Sequence, residues 1–258
     1  MSTIDVTLTE VAASLVLVAI AFAVSRWRRA DLEQDLVVAV VRSFVQLTAI
    51  GYVIQAIFDS DSLLLVALLL AVMVAFGTVT ARARAKDVPD AFWPIALALT
   101  VAAVTTLGLI VALGVFDAKP RYLVPVGGMV IGNAMTAAAV ALNRLGDEIG
   151  GARGAIEATL SLGATSRQAA AGAVTRSLRS GTITLIDSTK TTGIVFFPGA
   201  MTGMLVAGAE PVDAVRLQLI LLYVLLGSVS TAALVAVLLA QRAFFTPAQQ
   251  LRDHPSDD

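Results

Sequence analysis

Long apolar runs alternate with short polar segments along most of the chain. A helix needs about 20 mainly apolar residues to cross the hydrocarbon core of a bilayer. By that measure the pattern predicts seven membrane-spanning helices, at residues 8–25, 36–58, 62–80, 92–114, 121–142, 183–208 and 214–240. We therefore expect an all-α membrane protein, with one transmembrane domain over residues 1–245 and a polar C-terminal tail over residues 246–258.

The charged residues between the spans predict an orientation. Basic residues favour the cytoplasmic side of a membrane. Arginines follow the first, third, fifth and seventh spans, whereas acidic residues follow the second and the sixth. Only the mixed segment FDAKPR, after the fourth span, departs from the alternation. The pattern favours an N-terminus outside and a C-terminus inside, which requires an odd number of spans.

Composition agrees with a multi-pass protein of the cell (inner or plasma) membrane. Hydrophobic residues make up 57% of the chain and charged residues 14%, against about 25% charged residues in soluble domains. The net charge of −1 gives no indication of a nucleic-acid partner. The chain has no cysteine, and we expect its one histidine, His254, to be solvated in the tail. Because MSTIDVTLTE is acidic, we expect the first apolar run to remain as a helix instead of being cleaved as a signal peptide.

The segment 143–182, predicted to be cytoplasmic, has helical signals of its own. Residues 152–162 are rich in helix formers, and Gly163 suits a helix end because glycine tolerates positive φ. Thr165, with Gln168 three residues later, can form a capping box that starts a second helix. The sequence therefore predicts a helix, a glycine corner and a capped helix.

Two interpretations of this segment are open from the pattern. It could lie on the bilayer as an interfacial amphipathic helix, or it could dock into a groove of a soluble partner. A helix on a membrane surface needs bulky apolar residues, and this segment has few of them. That difference favours docking.

Polar residues within the predicted spans are candidates for function, since an ionisable side chain at mid-helix costs roughly 2.5–3.5 kcal/mol on insertion scales. Arg42 and Gln46 share a face of the second span, and Asp187 and Lys190 share a face of the sixth, one to two turns from its cytoplasmic end. Three interpretations of the second pair are open. It could be an ion pair that pins the helix to its neighbours, a polar gate that Arg42 and Gln46 contact, or a proton relay.

The fifth and sixth spans carry further candidates. Pro198 and Gly199 predict a kink whose freed carbonyls line a cavity, and with Asn133 they are our candidates for the transport pathway. Two pairs with the small-xxx-small spacing predict close helix contacts; they are Gly128 with Gly132, and Gly199 with Gly203.

Methionines in the same two spans allow two interpretations. Thioethers favour soft metals such as Cu(I) over iron, and methionine is also a common packing residue. The four residues are Met129, Met135, Met201 and Met204. Packing is the favoured interpretation, and Met201 and Met204 are kept as weak metal candidates.

The stretch EATLSLGATSRQAA resembles the EAA-type loop of ABC-transporter permeases. Glu157, Ala158 and Gly163 match that motif. Thr159 stands in place of its second alanine, and its closing proline has no counterpart near Arg176.

Four stretches together resemble the FetB family of permeases, which includes plant aluminium-tolerance half-transporters. They are RSFVQLTAIGYVIQ (42–55), GMVIGNAMTAAAVALNRL (128–145), EATLSLGAT (157–165) and DSTKTTGIVFFPGAMTGMLVAGAEPVDAVRLQ (187–218). The resemblance extends over about residues 36–245. It implies the permease subunit of an ABC transporter, working as a homodimer in iron export.

The same resemblance implies a soluble ATP-binding cassette partner that carries ATP and Mg²⁺. The chain itself has no G-x-x-x-x-G-K-[ST] sequence, so we expect it to bind no cofactor. The partner would dock on the segment 143–182, which would couple ATP hydrolysis to transport. The docking residues would be Glu157, Ala158, Gly163, Thr165 and Gln168.

Two other functions are weighed against a permease. A stand-alone proton-coupled transporter would use Asp187 and Lys190, but such proteins often contain internal repeats with matched broken helices, and only the span 183–208 is interrupted. A membrane enzyme is disfavoured because the chain has no HExxH or GxSxG motif. We therefore expect a permease subunit and not an enzyme.

Overall fold

The computed structural model describes residues 8–28 and 31–252, and within those ranges it contains ten helices and no β-strand. The all-α prediction is confirmed for these residues. His254 and most of the stretch MSTIDVTLTE lie outside them. The helices are α1 (Leu8–Arg28), α2 (Glu33–Ser60), α3 (Leu63–Arg84), α4 (Phe92–Ala112), α5 (Pro120–Gly151), α6 (Arg153–Ser161), α7 (Ser166–Ala169), α8 (Ala171–Thr191), α9 (Gly199–Val206) and α10 (Pro211–Ala243).

The chain forms two compact units, one ending at Asp61 and the other beginning at Ser62. The first unit consists of α1 and α2, which pack against each other. Their connection is held by the Ser25 hydroxyl, which accepts a hydrogen bond from the Leu32 N–H and donates one to the Glu33 carboxylate, both 3.1 Å long. Because Leu32 cannot cap α2 with its own side chain, Ser25 supplies the polar partner at this helix start.

The second unit is built around α5 and α10, which are 32 and 33 residues long. Helix α5 packs against α3, α4, α8 and α10, and α10 also packs against α4, α8 and α9. Small side chains fill much of the buried core; they include Ala134, Ala138, Ala141, Ala232, Ala236 and Ala240. Alanines let helix backbones approach closely, which is the main source of packing energy between helices in lipid.

Six helices in the described part of the chain are long and apolar enough to cross a membrane; they are α1, α2, α3, α4, α5 and α10. The five predicted spans before the segment 143–182 therefore each correspond to a single helix, and so does the last predicted span. The predicted sixth span, residues 183–208, is not one helix. Helix α8 ends at Thr191 and α9 begins only at Gly199.

The physical reason for the interruption lies on both sides of it. Gly193 has a φ of +84°, which other residues rarely adopt, and its N–H donates to the Phe196 carbonyl over 2.9 Å in a tight turn. Pro198 disfavours helical geometry at Phe197 and is the N-cap of α9. The expected kink at Pro198-Gly199 is thus a full break of the helix that begins several residues earlier.

The helices of the second unit approach closely at glycines other than the predicted pairs. A Cβ added at Gly132, Gly199 or Gly203 would meet no described atom within 4 Å, whereas one added at Gly181 would lie 2.7 Å from the Ala141 Cβ. The prediction of close helix contacts within this chain is therefore wrong for Gly132, Gly199 and Gly203. Of those four glycines only Gly128 has a close neighbour, the Met73 side chain at 3.2 Å.

Candidate functional site: an exposed helical elbow and a broken helix

The segment between α5 and α8 folds as an elbow, which we define as residues 153–169. Helix α6 ends at Ser161, Gly163 has a φ of +90°, and α7 begins at Ser166. The Thr165 hydroxyl accepts from the Gln168 N–H (3.3 Å), and the Gln168 side-chain oxygen accepts from the Thr165 N–H (2.9 Å). The predicted helix, glycine corner and capping box are confirmed.

The elbow has one face packed on its own chain and one face exposed. Ile156 is buried in the main core, and Leu160 packs against the same cluster. Glu157 and Ala158 are exposed, and Leu162, at the corner, is 89% exposed. Two of the bulky apolar residues of the elbow, Ile156 and Leu160, thus face the protein, which leaves Leu162 as the exposed one where an interfacial helix would need several. This geometry favours docking over a position on the bilayer surface.

The described part of the predicted tail, residues 246–252, lies against the elbow. The Ser166 N–H donates to the Gln249 side-chain oxygen over 2.7 Å, and the Arg153 guanidinium donates to the Arg252 carbonyl over 3.2 Å. The segment turns back on itself, so that Phe245 and Leu251 form an isolated bridge. Sequence reasoning missed the contact between this segment and the elbow. The available signal was the pair of apolar residues Phe245 and Leu251 in an otherwise polar segment.

An ion-pair network connects α5 and α8 beside the elbow. The Glu148 carboxylate accepts from the Arg176 guanidinium of α8 over 2.5 Å and also pairs with Arg144 one turn earlier on α5. Sequence reasoning missed the first contact because its partners are 28 residues apart in the chain. The network thus connects the C-terminal part of α5 to the N-terminal part of α8.

Asp187 and Lys190 form an ion pair in the last turn of α8, with 2.9 Å between the Lys190 Nζ and the Asp187 Oδ1. Both side chains are exposed, and the pair stays within one helix. Because α8 begins at Ala171, a rise of 1.5 Å per residue places Asp187 about 24 Å along its axis. The pair therefore lies beside the helix break, at the end of α8 opposite the elbow. The predicted position, one to two turns after the start of the helix, is wrong because α8 begins well before residue 183. Arg42 lies on α2 in the other unit, as does Gln46, so their contact with the pair stays a prediction.

The other pathway candidates lie on α5 and α9. Asn133 is half-buried, and its side-chain N–H₂ donates to the Met129 carbonyl of its own helix over 2.8 Å. Pro198 precedes α9, Gly199 starts it, and the half-buried Met201 and Met204 lie one turn apart on it. Over residues 8–28 and 31–252 no three His, Asp or Glu side chains cluster as metal ligands would.

Sequence reasoning also missed Gln218, a glutamine inside α10. It is 4% exposed, and its side-chain oxygen has no hydrogen-bond partner among the described residues. Leaving a buried polar group without a partner costs free energy. The signal available in the sequence was a single amide within an apolar run.

Comparison with known proteins agrees with this architecture. A family model described as "Uncharacterised protein family (UPF0014)" matches residues 8–245. The chain is 40% identical to the "UPF0014 membrane protein STAR2" of Oryza sativa subsp. japonica, over 93% of this chain and 85% of that protein. It is 37% identical to "Protein ALUMINUM SENSITIVE 3" of Arabidopsis thaliana, over 94% and 89%.

A bacterial relative carries a name that describes a function. The chain is 34% identical to the "Probable iron export permease protein FetB" of Escherichia coli (strain K12), over 97% of each chain. No solved structure matches the chain. With nearly its whole length matched by the family model and by these relatives, the chain is a multi-pass membrane protein that belongs to the UPF0014 family.

Proposed function

We propose that the chain is the permease subunit of an ABC transporter and that a separate ATPase drives it through the elbow. The observation that carries the proposal is the elbow itself, which is fastened to the core on one face and exposed at Glu157, Ala158 and Leu162 on the other. A rigid, exposed corner can transmit a rigid-body movement from a soluble partner to the membrane helices. The name of the bacterial relative, an export permease, supports the same function.

The topology we propose has seven membrane crossings. Helix α8, the turn after it and the short α9 would make the sixth crossing together, and α10 the seventh. Broken helices occur within membranes where their free backbone groups line a cavity. The arginine distribution supports an N-terminus outside, with the elbow and the C-terminus in the cytoplasm. For a bacterial-type permease this membrane is the plasma membrane.

The break between α8 and α9 is the element we propose for the transport pathway. It combines the Asp187 carboxylate with the backbone carbonyls of the non-helical residues between Thr191 and Gly199. Oxygen ligands of this kind suit hard cations better than the thioethers of Met201 and Met204 do. The name of the bacterial relative, an iron export permease, supports iron as the exported metal.

We also propose that the permease works as a homodimer with two ATPase subunits. In the turn between α8 and α9, the side chains of Ile194 and Val195 are largely exposed on the surface of the chain. An apolar turn of this kind could face lipid or a second copy. ATP binding would shift the dimer between two conformations because the ATPases bind them with different affinities.

Co-purification of the tagged chain with its ATP-binding subunit tests the docking role. In Gly163→Leu the corner loses the glycine that adopts a positive φ. The exposed face of the elbow should therefore shift, and the ATPase should no longer co-purify with the chain. Gly154→Leu is the matched control because Gly154 also has open space around it but lies inside α6. A Gly163→Leu variant that still retains and fully couples the ATPase would contradict the proposal.

A second candidate, a stand-alone proton-coupled transporter, rests on the exposed Asp187–Lys190 pair at the helix break. It predicts that the purified chain, without any ATPase, moves substrate in vesicles under a proton gradient and that Asp187→Asn abolishes this transport. The permease predicts no transport until the ATPase and ATP are added. Metal efflux from iron-loaded vesicles, measured with and without the ATPase, separates the two.

A further inference from the structure

A cavity of about 590 Å³ lies between the elbow and the C-terminal end of α10. Ser166 and Arg167 of α7 form one wall, and Arg242 of α10 with Arg252 of the C-terminal segment forms the other. None of these three arginines makes an ion pair among the residues the structure describes. Three guanidinium groups around one cavity concentrate positive charge and hydrogen-bond donors that a phosphate group matches.

A second, independent feature of the cavity also points to a ligand. Gln241 lines it and is only 8% exposed as a whole residue. Its side-chain amide makes no hydrogen bond with the described residues, but its polar atoms are not enclosed by protein. The amide is therefore open to the cavity and available to donate or accept a hydrogen bond there.

The surroundings of the cavity distinguish a lipid from a free anion. Leu234, Leu238 and Arg242 are spaced by four residues, so they lie on one face of α10, and all three are exposed. Leu238 also lines the cavity, together with Phe245. An apolar strip on a membrane-spanning helix thus runs from lipid depth directly to the arginines, as the acyl chain and headgroup of one lipid molecule would.

We propose that this cavity binds the phosphate group of an anionic phospholipid, with an acyl chain along Leu238 and Leu234. The bound headgroup would bridge Arg167 of the elbow to Arg242 of α10. Basic pockets beside membrane helices recognise anionic headgroups through the same chemistry. The lipid would thereby join the elbow to α10. Because Arg167 lies between Thr165 and Gln168, the site borders the surface proposed to dock the ATPase.

The first test counts lipids bound to the full-length chain by native mass spectrometry, in mixtures of phosphatidylglycerol and phosphatidylcholine. Wild-type protein should retain phosphatidylglycerol selectively. Arg167→Gln with Arg242→Gln should weaken this binding about 25-fold, since each arginine near a membrane surface contributes about fivefold. The matched control, Arg82→Gln with Arg179→Gln, removes the same charge from exposed positions that do not line the cavity and should retain the lipid. Equal binding by both double variants would overturn the proposal.

A second measurement identifies the source of the phosphate group and does not depend on the double variant being folded. Phosphatidylglycerol should raise the unfolding temperature of the wild type, since a ligand of the native state stabilises it. Inorganic phosphate at the same concentration should not. The single variants Leu238→Ser and Gln241→Leu should each reduce the effect of the lipid. An equal rise with inorganic phosphate, or a full lipid effect in both single variants, would overturn the proposal.

Discussion

The backbone N–H of Ser166 donates a hydrogen bond of 2.7 Å to the side-chain oxygen of Gln249, a residue 83 positions later in the chain. Ser166 is the first residue of α7, so its N–H has no partner within the helix. Gln249 itself has a φ of +63°, an uncommon backbone conformation for a non-glycine residue. The C-terminal segment therefore supplies the bond that completes the start of α7 and joins the elbow to the end of α10.

Replacing Gln249 by alanine should loosen the elbow. The variant loses one hydrogen bond to a helix terminus, which corresponds to about 1 kcal/mol of unfolding free energy, and we expect faster proteolysis between α6 and α7. Gln250→Ala is the control because the Gln250 contacts in this turn are made by its backbone. Limited proteolysis of both variants measures the effect, and equal cleavage rates would contradict a supporting role for Gln249.

Replacing Gly181 by alanine should separate α8 from α5. An added Cβ would lie 2.8 Å from the Ala137 carbonyl oxygen and 2.7 Å from the Ala141 Cβ, distances that the helices can relieve only by moving apart. Overpacking of this kind costs about 1–3 kcal/mol. Thermal unfolding in detergent measures it.

The control for this variant is Gly132→Ala. An added Cβ there meets no described atom within 4 Å, and alanine is the better helix former. We expect the unfolding temperature of Gly132→Ala to be unchanged or slightly raised. A Gly181→Ala variant as stable as Gly132→Ala would show that the two helices are not in close contact.

Replacing Glu148 by glutamine should weaken the connection between α5 and α8. The neutral amide cannot pair with Arg144 and Arg176 together, so two guanidinium groups lose their counter-charge. We expect a lower unfolding temperature and a smaller response to added salt than in the wild type, because salt screens exposed ion pairs. Asp147→Asn, one residue earlier and exposed, is the charge-matched control. An equal loss of stability in both variants would assign the effect to net charge instead of this network.

Replacing Gln218 by leucine should stabilise the protein. The change removes a buried oxygen that has no partner among the described residues, and such a group costs about 1–3 kcal/mol. The unfolding temperature of Gln218→Leu should therefore rise, whereas that of Gln250→Leu, at an exposed position, should not. A destabilised Gln218→Leu would instead show that the amide bonds to something held inside the membrane helices.

Local pattern alone was sufficient for the membrane helices and for the elbow. A bilayer imposes a minimum length of apolar sequence, and the ends of α3, α4 and α10 lie close to where that sequence stops. The predicted end of the fifth span at residue 142 is wrong, because α5 continues through a polar stretch to Gly151. The capping box of Thr165 and Gln168 and the corner at Gly163 involve neighbours within a few residues. Their geometry depends on φ, ψ and short hydrogen bonds, which the sequence specifies directly.

Tertiary structure decided every feature that depends on residues distant in the chain. Whether Gly181 or Gly132 meets a neighbour depends on which face of each helix turns toward the core. Hydropathy does not single out the buried face of α8, because that face consists of the small residues Ala173, Ser177 and Gly181. The contacts of Glu148 with Arg176 and of Ser166 with Gln249, the burial of Gln218 and the arginine-lined cavity are of the same kind. The break between α8 and α9 is intermediate. Gly193 and Pro198 signal it locally, but the apolar residues around them also fit one continuous span, and the packing of both helices against α10 is a tertiary feature.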